Sequence, residues 1–258
     1  MEERGHLRLI GDWAALRDHL ARWNADPERT PLGILLTMEG ADPVLGPEWV
    51  ERWWHEGVRV ISLSHYGVSA YAHGTATPGG LVGRADEVLR EMERVGMILD
   101  LTHLADEAFW QAIERFGGPV LASHQNCRSL VPGDRQFTDE QIRAVIERDG
   151  VLGAALDAWM LQPNWIRGET TNENLTLAAV ADQIDHVCQL AGNARHAAIG
   201  SDLDGGYGIE QTPRDLDTIA DLQKIADLLR ARGYREEDVA AIFHGNWLRL
   251  LERVWTAA

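Results

Sequence analysis

The chain has 258 residues, with 40 acidic side chains against 24 basic ones and a formal charge of −16. That balance offers no basic stripe for phosphates and so excludes a nucleic-acid partner; no run approaches the roughly 20 apolar residues of a membrane span. The charged opening Met1–Arg8 lacks a secretory pattern, and Cys127 and Cys188 form neither a CxxC pair nor a disulfide framework, so the expected compartment is the reducing cytoplasm and any metal must be held by His and carboxylates.

Short apolar runs alternate with longer amphipathic ones along the chain. Trp13–Trp23 has apolar residues at helical spacing, and Gly33–Met38 is the first strand-like run. Pro47–Trp54 opens with a proline suited to a helix start, and the strand Val58–Leu63 follows. Helix Ala85–Val95, strand Met97–Leu101, helix Asp106–Phe116 and strand Pro119–Ser123 come next. Thr138 and Gln141 form a capping box at the head of helix Asp139–Glu147. Strand Val151–Leu156, helix Leu175–Leu190 and strand Ala197–Ser201 precede two helical stretches, Asp217–Arg230 and Glu237–Arg253, the last broken near Gly245. All six strands are apolar on both faces, as parallel strands covered by helices are. The pattern predicts one α/β domain over residues 1–258 with right-handed crossovers. Periodicity leaves an open doubly wound sheet and a closed (β/α)8 TIM-type barrel as alternatives.

The strand ends favour the barrel. Glu39 follows the first strand, His65 the second, Asp100 and His103 the third, and His124 the fourth; Asp202 and Asp204 follow the last. In a TIM barrel the C-terminal rim draws catalytic groups from several strands, and imidazoles and acids gathered there suit a divalent metal. A single histidine at a strand end is more often a hydrogen-bonded structural residue, and Asp202 and Asp204 beside Gly205 are ordinary turn residues if taken alone. Five strands of six ending this way argue for a site.

These residues occur in an order that resembles the membrane (renal) dipeptidase family. The pieces are Met38-Glu39-Gly40, Leu63-Ser64-His65, Asp100-Leu101-Thr102-His103, Ala122-Ser123-His124, Arg135 ahead of Thr138-Asp139-Glu140, and Gly200-Ser201-Asp202-Leu203-Asp204-Gly205. The resemblance implies an amidohydrolase-like barrel that cleaves dipeptides with a pair of zinc ions. It implies Glu39 as the carboxylate bridging the metals, His103 and His124 as ligands of the second metal, and His65 as a histidine touching substrate near the scissile bond. Arg135 resembles the arginine that holds the dipeptide carboxylate, and Asp202 the aspartate that handles the proton of the attacking water. An arginine on a loop would otherwise be read as a solvated charge.

The family's first strand also carries a His-x-Asp pair, and no His-x-Asp occurs ahead of Glu39 here. The expectation is therefore a barrel lacking its first one or two β/α units before Gly33, with unpaired edges at Gly33–Met38 and Ala197–Ser201; the resemblance implies two zinc ions for a complete site and one for a site without the His-x-Asp pair. Exposed edges invite pairing, so a homodimer is expected. A small peptide is the expected partner. The alternatives are an amidohydrolase acting on a lactone or cyclic amide, and a catalytically impaired binding protein of the same fold.

Overall fold

The structure, a computed structural model, describes residues 5–256 and divides into two compact units: residues up to 119 together with those from 251 onward, and residues 120–250.

The first unit begins with a strand that the sequence pattern does not reveal. β1 (Leu7–Leu9) pairs in parallel with β2 (Leu32–Ile34), Leu7 opposite Leu32 and Leu9 opposite Ile34, and α1 (Trp13–Ala25) makes the crossover. Asp12 caps α1, its carboxylate accepting from the Ala15 amide at 2.8 Å. A β/α unit thus precedes Gly33, and the edge expected to be unpaired has a partner at Gly33 and Ile34. Three residues with Arg8 at the centre are too short and too polar to stand out as a buried run. The predicted strand Gly33–Met38 is in fact two: β2 ends at Ile34, and β3 (Leu36–Met38) resumes after Leu35 with a register irregularity between Leu36 and Thr37.

β3, β4 (Val58–Ser62) and β5 (Ile98–Asp100) then pair in parallel, Met38 opposite Ile61 and Ser62 opposite Asp100. α2 (Glu48–His55) and α3 (Ala85–Val95) make the crossovers, and α4 (Asp106–Arg115) follows β5. α3 buries Ala85, Val88, Leu89 and Met92, the i, i+3, i+4, i+7 stripe that faces a core. It stops at Gly96, whose left-handed φ of 76° lets the Met97 amide reach back to the Met92 carbonyl. Ile61, Leu63, Met97, Ile98, Leu99 and Leu101 are fully buried. The strands carry little else than apolar residues until their C-terminal ends, where the polar ones begin.

In the second unit β6 (Val120–Leu121) is extended by a parallel bridge from Ala122 to Leu152, the first residue of β7 (Leu152–Ala154). β7 pairs in parallel with β8 (Ala197–Ile199), Gly153 opposite Ala198. α5 (Asp139–Glu147) has the predicted Thr138–Gln141 capping box, and α6 (Ala178–Ala191) is the crossover between β7 and β8. The stretch read as one helix over Asp217–Arg230 is a 3-10 turn, Ile219–Gln223, leading into α7 (Lys224–Ala231). α8 (Glu236–Ala240), a π-helical turn Ala241–Gly245 and α9 (Asn246–Thr256) close the chain, the irregular turn falling at the expected break. Two glycines allow close approach here: a Cβ on Gly153 would lie 2.2 Å, and one on Gly200 1.9 Å, from the Ser123 carbonyl oxygen.

Candidate functional site

In the first unit the strand ends bring Glu39, His65 and His103 together. Glu39 leaves β3 through Gly40, whose φ of 82° only glycine adopts without strain, and the Gly40 amide donates to Ser62 Oγ at 2.8 Å. His65 follows β4 and His103 follows β5. Glu39 Oε1 lies 3.2 Å from His103 Nε2 and 3.8 Å from His65 Nε2. The two imidazoles meet edge to face with centroids 4.4 Å apart, and Tyr66 packs against both. Exposure separates the two: the His103 side chain is 3% exposed and that of His65 50%. His103 also has φ of 70°, a conformation that costs a non-glycine residue roughly 1–3 kcal/mol. Its Nδ1 lies 2.9 Å from the buried Thr75 Oγ1.

The second unit places His124 beyond β6, with Nδ1 2.8 Å from Ser123 Oγ. Arg135 is 2% exposed. Its Nη2 donates to the His124 carbonyl at 2.9 Å and its Nη1 to Gln125 Oε1 at 2.8 Å, while Gln125 Nε2 donates to the Arg135 carbonyl. The solvated arginine that an isolated reading of the loop favours is therefore a buried cation fastened to the strand end that carries His124. Asn126 secures the next step, donating to the Ala155 and Met160 carbonyls and accepting from the Ala155 amide.

Asp202 lies beyond β8 in the left-handed region, φ 56°, and its carbonyl accepts from the Gly205 amide. Asp157, absent from the residues named from the sequence, follows the Val151–Leu156 run directly, so its signal is the same one that singles out Glu39. It is buried and accepts from Gln211 Nε2 at 2.7 Å. Burial, reinforced by the Asp202 charge, pushes its carboxyl above the ordinary value, with the Gln211 bond opposing. Tyr207, whose hydroxyl donates to the Ser201 carbonyl, is pushed up by burial and by both carboxylates. Thr75 was also missed, for lack of any pattern: it sits in a loop ten residues beyond His65.

A carboxylate oxygen close to an imidazole Nε2 whose Nδ1 is held by a hydroxyl is a donor set that fits a divalent cation of the zinc type. No helix among the described residues is long and apolar enough to cross a membrane.

Residues 15–258 match the model of the membrane dipeptidase family, peptidase family M19. Dipeptidase aclJ of Aspergillus oryzae is 32% identical over 225 residues, covering 85% of this chain and 51% of that protein. An uncharacterized dipeptidase of Schizosaccharomyces pombe is 28% identical over 92% of this chain and 56% of its own. Among solved structures, a metallopeptidase from Rhodobacter sphaeroides, liganded with a phosphinate mimic of L-Ala-D-Ala, superposes with a TM-score of 0.82. It is 25% identical, over 98% of this chain and 70% of that one. A probable dipeptidase of Pseudomonas aeruginosa, 18% identical, has a TM-score of 0.84 over 100% of this chain and 76% of that one, a likeness of fold. The α/β fold with parallel strands is thus that of a metallopeptidase class, and the chain belongs to the membrane dipeptidase family, peptidase family M19. It spans about half the length of these curated dipeptidases.

Proposed function

We propose that this chain hydrolyses dipeptides with the aid of zinc held by Glu39, His103 and His124, each of which offers one ligand atom. The observation that carries the reading is the 3.2 Å approach of Glu39 Oε1 to the Nε2 of the buried His103, in a chain of a metallopeptidase family. A divalent ion there supplies Lewis acidity at the scissile carbonyl and makes water a stronger acid at neutral pH.

The protein's own groups do the rest. Arg135 binds the dipeptide carboxylate through its planar fork; burial strengthens that attraction by thinning the screening water. His65, half exposed beside Glu39, contacts the substrate near the scissile bond. Asp202 takes a proton from the attacking water and delivers it to the leaving amine, so the peptide C–N bond breaks as a new C–O bond forms.

The test is a panel of dipeptides, L-Ala-D-Ala among them, offered to zinc-loaded protein alongside a lactone. Dipeptide turnover that is abolished by a chelator and restored by zinc is expected. Turnover of the lactone alone, or none with zinc bound, would refute the assignment.

A further inference from the structure

We infer that Thr75 is the positioning residue that fixes His103 as an Nε2 ligand, and that the loop carrying it holds His65 in the same frame; the inference rests on the metal reading above. Thr75 is 3% exposed, and its Oγ1 lies 2.9 Å from His103 Nδ1 and 3.4 Å from the His103 carbonyl oxygen. A hydroxyl has one proton and two lone pairs. With its proton directed to the carbonyl it accepts from Nδ1–H, which leaves the Nε2 lone pair facing Glu39 for a cation. With its proton directed to Nδ1 it leaves Nε2–H to donate to Glu39 Oε1. One hydroxyl therefore satisfies His103 with and without the ion, and neither state leaves a buried imidazole nitrogen without a partner.

The backbone around Thr75 reaches His65 too. The Thr75 amide donates to the His65 carbonyl at 3.0 Å, and the Gly67 amide donates to the Thr75 carbonyl at 2.9 Å. On the other side, Gly74 bridges Leu104 and the Ala105 amide donates to the His73 carbonyl, so the loop is fastened to the residues directly after His103. Gly74 makes this approach possible: a Cβ there would lie 2.1 Å from the His65 carbonyl oxygen. A single residue thus touches one imidazole through its side chain and the other residue through its amide, and the relative placement of His65 and His103 is set by the loop as well as by strands β4 and β5.

The test uses the full chain stripped of metal and titrated with Zn2+ against a chromophoric chelator. Partners behind a metal-bound imidazole typically contribute 10–100-fold in affinity. Thr75→Val, which keeps the shape and removes the hydroxyl, is expected to bind zinc at least about tenfold more weakly, while Thr75→Ser restores wild-type affinity within about threefold. Imidazole 15N spectra of the zinc-loaded wild type provide a readout that does not depend on the variant folding: His103 is expected to carry its proton on Nδ1 and the ion on Nε2. Wild-type affinity in Thr75→Val, or zinc on Nδ1, would overturn the inference and leave the metal reading standing. A wild type that binds no zinc at all would overturn both.

Discussion

Gly200 offers the sharpest test of how the second unit carries His124. A Cβ at this position would fall 1.9 Å from the Ser123 carbonyl oxygen, 2.8 Å from Gly153 Cα and 3.0 Å from Gly153 C, all of them backbone atoms that cannot rotate away. Ordinary contact begins near 3.4 Å, so Gly200→Ala must displace the Ser123 carbonyl or the β8 end by about 1.5 Å. Overpacking of this kind costs typically 1–3 kcal/mol, and rigid neighbours place this case at the upper end. The Ser123 carbonyl belongs to the peptide that leads into His124, so the shift passes into His124 itself. A misplacement of about 1 Å costs on the order of 100-fold in turnover. Urea titration together with dipeptide kcat/KM reads both effects, and Gly133→Ala is the control, because a Cβ there meets nothing within 4 Å. Gly200→Ala with wild-type midpoint and turnover would refute the argument that close strand approach positions His124.

Three other outcomes follow from the geometry. Arg135→Ala leaves Gln125 Oε1 and the His124 carbonyl without their donor; it is expected to lower stability by about 2 kcal/mol or more in urea titration and to raise KM for dipeptides, whereas a solvated arginine would leave stability unchanged. Glu39→Gln removes a carboxylate that is half exposed, so the metal-free protein keeps its melting temperature while zinc affinity, measured by chelator competition, falls at least about tenfold. His196 is buried with Nδ1 2.8 Å from the Gly150 carbonyl, and burial holds its pKa below the usual 6.5. The unfolded chain takes up this proton before the native state does, so stability present above pH 6.5 is lost as pH falls through the native pKa. His196→Gln is expected to flatten part of the fall in urea midpoint between about pH 7 and pH 5, and an unchanged slope would contradict it.

Much of this was legible from residue order. Alternating apolar runs located β4 to β8 and most helices because those strands are buried on both faces, and the Thr138–Gln141 capping box announced α5 because its chemistry is local. Glu39, His65 and His103 could be named from one rule, a polar residue directly after a buried strand, and the structure brings all three together in the first unit. The same rule applied once more would have found Asp157. β1 escaped it because Leu7–Leu9 is short and centred on Arg8, and its strand character comes from pairing with β2, which is not encoded locally. Arg135 is a tertiary fact of the same kind: its burial depends on Gln125 and on the His124 carbonyl, ten and eleven residues away in sequence. Thr75 is unreadable for the same reason, since the loop meets His103 only when Gly74 passes the His65 carbonyl.

On the proposed function an acid and two imidazoles from separate strands share one ion. Crystals of the zinc-loaded chain, measured at the zinc absorption edge, test it most directly. An anomalous peak about 2.0–2.2 Å from Glu39 and from imidazole nitrogens of His103 and His124 is the predicted result. A fully loaded crystal with its zinc bound elsewhere would contradict it.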